Sequence, residues 1–307
     1  MSPVPMCPGC RALLDPEDAR CPYCGWDVRV TGVRRSGGLV DRAAAGFGGV
    51  SSLLLFANAL VAVLLVVAHM RAALLDPDGA PGPVASALEG VLHPEGGIVA
   101  LAGAVVPGLV LEGGEWWRLL TAAFLHFGLI HIGVNMMALR NLGGLVEEAC
   151  GGGKALALYL LAGAAGSAAG VVAHVLKPHL GLAAAPYCAA GASGAICGWA
   201  GLVAALGFRI GGAQGKALWT SMLKTVGFIL VLGIVLEFTK SGFRLDNWGH
   251  GGGFLFGLAA GFLCSFGVRA RSNPAAVRAW DAAAVVLSLA TLAAFVPPFL
   301  DLARALR

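Results

Sequence analysis

The chain has 307 residues, of which 58% are hydrophobic and only 12% charged, with 46 glycines and a net charge of +4. A soluble globular protein is nearer half apolar and a quarter charged, so this chain cannot cover its surface with polar groups and lipid must be its main solvent. The small positive charge contains no basic run with interleaved aromatic residues, which sets nucleic acid aside as a partner.

Residues 1–28 are polar and rich in cysteine and proline, unlike the apolar core of a signal peptide. Cys7-Pro-Gly-Cys10 and Cys21-Pro-Tyr-Cys24-Gly25 form two CxxC pairs, a spacing that suits a tetrahedral zinc ion held by four thiolates. A fragment this small has no core of its own without a metal. Two disulfides or a redox CxxC are the alternatives. Stable disulfides are disfavoured on a cytoplasmic side, and the strand–helix pattern of a redox fold is missing. The expectation is therefore a small zinc-ribbon-like module with a structural Zn²⁺, serving either contact with a cytoplasmic partner or stability. Residues 29–46 carry Arg29, Arg34, Arg35 and Arg42 among glycines and read as a basic linker.

Apolar stretches follow at 47–68, 119–142, 155–176, 187–208, 217–238, 247–267 and 280–300. Each runs about 20 residues, the length that crosses ~30 Å of hydrocarbon as a helix. Backbone groups in lipid must be satisfied within the segment, so helices are the expected form. The predicted fold is an all-α polytopic membrane protein. Residues 47–267 form a six-helix core, and 268–307 hold a seventh C-terminal transmembrane helix and tail. The first loop, 70–117, has an apolar part from Ile98 to Leu111 that is short, contains Pro107, and reads as interfacial or re-entrant. Lysine and arginine are concentrated on the side holding Arg29, Arg34, Arg35, Arg42, Arg140, Lys154, Arg209 and Lys216, which places the N-terminus in the cytoplasm. The cysteines outside the N-terminal cluster, Cys150, Cys188, Cys197 and Cys264, read as small packing residues.

Polar residues inside spans are costly, and each demands a reason. The candidates are His126, His131 and Asn135 at the second span, Ser193 in the fourth, and Asp246, Asn247 and His250 in the sixth. All three spans enter from the outer side, so non-adjacent segments deliver polar side chains to one layer. A serine hydroxyl needs a base to become a nucleophile, and His250 is the only histidine on the sixth span. The oxyanion of a tetrahedral intermediate needs fixed donors. His131 and Asn135 lie four residues apart on one helix face, and the Ser193 N–H lies at a helix start. Asp246 reads as the cap of the sixth helix. Gly249, Gly253, Gly257 and Gly261 give that helix a small residue every fourth position, the closest-approach face available to a membrane helix.

These segments together resemble the rhomboid intramembrane protease family: Gly191-Ala192-Ser193-Gly194, Gly249-His250-x-x-Gly253-x-x-x-Gly257, His126-x4-His131-x3-Asn135 and Glu115-Trp116-Trp117-Arg118. The resemblance covers about residues 50–267. It implies a nucleophile at Ser193, a base at His250, oxyanion donors at His131 and Asn135 supported by His126, and at Gly191 an open approach for substrate backbone. Trp117 and Arg118 match the family's first-loop motif, and Glu147 matches a glutamate that supports that loop region. The implied substrates are transmembrane-segment proteins cleaved in or beside their spans within the bilayer. The implied setting is a prokaryotic inner membrane with the site open to the outer side, and no cofactor takes part in catalysis. One position departs from the family: Cys197 stands where an aromatic residue usually stacks on the histidine, leaving that role to Trp199 or Trp248. The competing expectations are a catalytically silent rhomboid-like protein that binds and escorts membrane clients, and a channel or transporter, for which internal repeats are missing.

Overall fold

The computed structural model describes residues 38–75, 96–181, 187–239, 244–264 and 273–305, together with Leu88, Val91, Leu92 and Phe266. The expected metal ligands Cys7, Cys10, Cys21 and Cys24 lie outside these residues. Among the described residues, every regular element is helical apart from one antiparallel bridge between Val105 and Ala189. A short α1 (Leu39–Ala44) precedes α2 (Val50–Leu75). The first loop holds α3 (Gly96–Leu101), α4 (Pro107–Leu111) and α5 (Arg118–Thr121). The long helices are α6 (Leu129–Cys150), α7 (Gly152–His179), α8 (Ser193–Ile210), α9 (Gly212–Phe238), α10 (Asn247–Leu263) and α11 (Pro274–Ala294), with α12 (Val296–Ala305) after a single-residue break.

Six helical stretches among the described residues are long and apolar enough to cross a membrane: Val50–Ala72, Leu129–Cys150, Gly152–His179, Ser193–Ile210, Gly212–Phe238 and Pro274–Ala305. The chain is a multi-pass integral membrane protein. The sixth predicted span, 247–267, is shorter as a helix, 17 residues from Asn247 to Leu263. It stops because Cys264 turns extended, at φ −83° and ψ 153°. The Arg209 guanidinium caps this end by donating to the carbonyls of Gly261 and Cys264. The second predicted span also starts later than expected. Leu125 is extended and Gly128 has φ 101°, so α6 begins only at Leu129 and the residues before it form α5 and a 3₁₀ turn.

The bundle is built around α8. Of its 18 residues 67% are buried, as are 61% of the most apolar 18-residue stretch of α7, against 11% of that of α9, which lies at the periphery. Close approach of α8 to its neighbours comes from a seam of glycines. A Cβ at Gly253 would overlap the Gly194 carbonyl, one at Gly257 the Gly198 carbonyl, and one at Gly201 the Phe254 carbonyl. In water such glycines would cost helix stability, but in lipid close backbone contact replaces the missing hydrophobic drive. On the far side of the seam Trp199 is fully buried, donates to the Ala155 carbonyl at 3.1 Å and packs edge-on against Tyr159.

The first loop is pinned by Arg118, only 5% exposed. Its guanidinium donates to Glu115 at 2.6 Å and to the carbonyls of Ala100 and Ala104. A cation this deep is tolerated because it is paired and hydrogen-bonded, so Arg118 and Glu115 are not a surface pair. Thr121 adds a 2.6 Å bond to the Gly103 carbonyl. At the opposite end, α1 docks on the bundle: Asp41 accepts from the Gly152 amide at 2.9 Å, and Asp281 of α11 accepts from the Leu39 amide.

Glu147 is engaged at the start of α2. Its carboxylate accepts from the amides of Val50 and Ser51, both at 2.8 Å, and from the Ser51 hydroxyl at 2.6 Å. Glu147 lies near the C-terminal end of α6, roughly 24 Å along the axis from His131 at 1.5 Å per residue. From there it satisfies the open amides at the start of α2.

Candidate active site

Ser193, His250 and His131 sit at the starts of three helices that run in the same sense. Ser193 opens α8, His250 is in the first turn of α10, and His131 is in the first turn of α6. The Ser193 hydroxyl lies 2.7 Å from His250 Nε2. His250 is 5% exposed and Ser193 half-buried, so the pair is reached from the hydroxyl side. Among the described residues, Nδ1 of His250 has no hydrogen-bond partner. Among these residues no carboxylate bonds to the ring from behind.

The loop before Ser193 is fixed on several sides. Ala189 pairs with Val105 through both its amide and its carbonyl, at 3.0 and 2.8 Å. The Gly191 amide donates to the Ala122 carbonyl at 2.8 Å, and the Ala192 amide to His126 Nε2 at 3.4 Å. His126 therefore acts on the helix cap beside Ser193, and its ring also lies edge-on to His131 at 5.1 Å. Gly191 has φ 134°, a conformation that excludes ordinary side chains. A Cβ there would meet His131 Nε2 at 2.8 Å and Ser193 Oγ at 3.5 Å. The glycine thus keeps open a gap bordered by the imidazole and the hydroxyl.

The tautomer of His131 follows from its partner. Nδ1 accepts from the Phe127 amide at 3.2 Å, so the proton sits on Nε2, the atom that borders the Gly191 gap. Asn135 is buried and donates one amide N–H to the His131 carbonyl at 3.0 Å. Its amide carries a second N–H. The first amides of α8, Ser193 included, precede the first intrahelical bond, which Ile196 makes to the Ala192 carbonyl at 2.9 Å.

The remaining expected residues are spread more widely. Gly253 and Gly257 form the seam below the pair. Trp117 flanks Arg118 in the first loop, with its indole Nε1 buried. Neither Trp199 nor Trp248 takes the place of the missing aromatic residue: Trp199 bonds to Ala155 on the far side of α8, and Trp248 is 54% exposed. Cys197 is buried among Ala200, Ala204, Val226 and Phe254. Cys150 is also buried, whereas Cys188 is exposed and is not a packing residue. Among the described residues, no group of three or more His, Cys, Asp or Glu side chains is placed to hold a metal ion.

Two residues of this region carry bonds that sequence spacing gave no reason to pair. Asp246 caps α10 by accepting from the Gly249 amide at 3.0 Å, as expected of it, but its other oxygen accepts from the Tyr187 hydroxyl at 2.7 Å. Burial, and next the Asp246 charge, push the Tyr187 phenol well above its ordinary range, so it stays a donor.

Fold and site together define a helical membrane protein with a serine and a histidine in contact near one end of the bundle. The rhomboid-domain family model matches residues 113–266, half of the chain, which belongs to the rhomboid family. The chain is 39% identical over 151 residues to rhomboid protease GluP of Bacillus subtilis, covering 48% of this chain and 26% of that protein. It is 31% identical over 160 residues to RHOMBOID-like protein 5 of Arabidopsis thaliana, covering 50% of this chain and 46% of that one. It is 30% identical over 177 residues to rhomboid-like protease 2 of Toxoplasma gondii, covering 56% of this chain and 55% of the relative. The chain thus spans between a quarter and just over half of the length of these relatives.

Proposed function

We propose that this protein is an intramembrane serine endopeptidase that hydrolyses peptide bonds in or next to the transmembrane segments of membrane-protein substrates. The observation that carries this reading is the 2.7 Å contact between Ser193 Oγ and His250 Nε2, beside a gap bordered by the His131 N–H. For the hydroxyl to donate, His250 Nε2 must be unprotonated, with the ring proton on Nδ1. As Ser193 Oγ attacks the scissile carbonyl, its proton passes to His250 Nε2. The oxyanion forms in the gap at Gly191, where the His131 Nε2–H, the second amide N–H of Asn135 and the Ser193 backbone N–H are the candidate donors. His250 returns the proton to the leaving amine, and water then hydrolyses the acyl-enzyme by the same relay. No cofactor enters this scheme. The family membership of relatives named as rhomboid proteases supports it.

The proposed arrangement in the membrane has seven spans, with α10 crossing despite its 17 residues, a length still within the range that spans hydrocarbon. The N-terminus lies in the cytoplasm and the site opens to the outer side of a prokaryotic cell membrane.

A fluorophosphonate probe tests the nucleophile. In detergent-purified protein it is expected to label Ser193 and to leave Ser193→Ala unlabelled. Labelling that persists in Ser193→Ala would remove the nucleophile assignment. Cys197 at the usual aromatic position favours a second reading, a catalytically silent rhomboid-like protein that binds and escorts membrane clients. A native protein that resists the probe and cleaves nothing would favour that reading.

The N-terminal Cys7, Cys10, Cys21 and Cys24 are proposed to hold a structural zinc ion, on the strength of their paired spacing. Metal analysis of the purified chain is expected to give about one zinc per molecule, lost in Cys7→Ser/Cys10→Ser. Natively purified protein without metal would refute the assignment.

A further inference from the structure

We propose that Tyr187 and Asp246 form a positioning clamp that holds the loop leading into Ser193 against the helix that carries His250. The inference rests on the Ser193–His250 reading above and deepens it. The glycine seam brings α8 and α10 together from Gly201 up to Gly194, where a Cβ would still touch the Gly249 carbonyl at 3.4 Å. Beyond Gly194 the chain leaves the helix as the loop 187–192, and the seam ends. The backbone bonds of that loop go elsewhere, Ala189 to Val105 and Gly191 to Ala122. A side-chain tie from this loop to the N-cap of α10 is the 2.7 Å bond from the Tyr187 hydroxyl to Asp246.

Asp246 is placed to serve both helix and loop. One carboxylate oxygen accepts from the Gly249 amide, its carbonyl accepts from the His250 amide at 2.9 Å, and its second oxygen takes the phenol. The position of the His250 turn is thereby linked to the position of Tyr187. Room for the phenol is made on α7, where a Cβ at Gly170 would overlap the Tyr187 hydroxyl oxygen. The ring of His174 packs against the Tyr187 ring at 5.9 Å. A bond from a neutral donor to a partly buried carboxylate is stronger than a neutral pair. The groups nearest a Cβ at Gly191 are His131 and Ser193, so the clamp acts through the positions of Ser193 and His250.

The test uses Tyr187→Phe, which keeps the ring, and Asp246→Ser, which keeps a helix-capping oxygen, with the double variant, all in full-length protein. Each single change is expected to lower kcat about tenfold on a single-span substrate and to leave KM within about twofold. The double variant should be no slower than the slower single one, because both remove the same contact. Melting temperatures in detergent should stay near the native value for Tyr187→Phe. Native kcat in Tyr187→Phe, losses that multiply in the double variant, or a loss that falls wholly on KM would each overturn the clamp. A second measurement needs no activity: deuterium uptake in Tyr187→Phe is expected to rise together in 187–192 and 247–250, with 126–131 unchanged. Unchanged uptake in both segments would overturn the clamp whatever the activity. A rise in uptake in Tyr187→Phe, with a native protein that cleaves nothing, would uphold the clamp and remove the protease reading instead.

Discussion

His250→Ala is expected to slow cleavage of a single-span substrate by about a thousandfold or more, with the protein still folded. General-base assistance contributes on the order of 10² to 10⁴ in rate. Here the loss should lie toward the upper end. The base sits 2.7 Å from the hydroxyl, and no other titratable side chain is bonded to Ser193 among the described residues. Ser193→Ala should cost a similar amount, and the double variant should be no slower than either single one, because a nucleophile and its base act as a unit. Any residual rate would come from the donors around the Gly191 gap. A His250→Ala protein that cleaves within tenfold of the native rate would end the mechanism. Preserved melting behaviour is expected, since alanine removes a ring whose rear nitrogen bonds to no protein group among the described residues.

The residues at the centre of the site were legible because lipid makes polar groups expensive. Ser193, His250 and His131 each stood out against an apolar background, and the alternation of span directions placed them in one layer. The structure brings the first two into contact and sets His131 across the Gly191 gap. Gly253 and Gly257 were readable for the same reason in reverse, since a four-residue glycine period has little use in a helix except close approach.

What escaped the sequence were partners rather than positions. Two bonds of Glu147 come from the backbone amides of Val50 and Ser51, nearly a hundred residues upstream, and a backbone amide leaves no trace in residue types. Tyr187 was unmarked because a tyrosine near a membrane surface is ordinary; only the three-dimensional approach of Asp246 gives it a task. Element ends were displaced where a single backbone conformation decides them. Gly128 delays the start of α6, and the extended Cys264 ends α10 early, while hydropathy runs smoothly through both.

Gly257→Val is expected to be the most damaging single change outside the site. Its Cβ would overlap the carbonyl of Gly198, a backbone atom of the facing helix that cannot rotate away. Relief requires α10 and α8 to separate, and the same two helices carry His250 and Ser193. Overpacking a tight core costs about 1–3 kcal/mol, sometimes more, and valine is also stiff in a helix. Helix propensity works the other way, by at most ~1 kcal/mol for replacing glycine, so the clash wins. A loss of about 3 kcal/mol corresponds to a fall of roughly 6–12 °C in melting temperature for a domain of about 150–250 residues. Activity should fall further than stability, because a separation of even about 1 Å is enough to break a hydrogen bond that must be near 2.7 Å to move a proton. Gly227→Ala on the peripheral α9 is the matched control. A Cβ there meets nothing within 4 Å, so its melting temperature and cleavage rate should stay near native. If Gly257→Val melts and cleaves like Gly227→Ala, the close approach of α8 and α10 is not what holds the serine and histidine together.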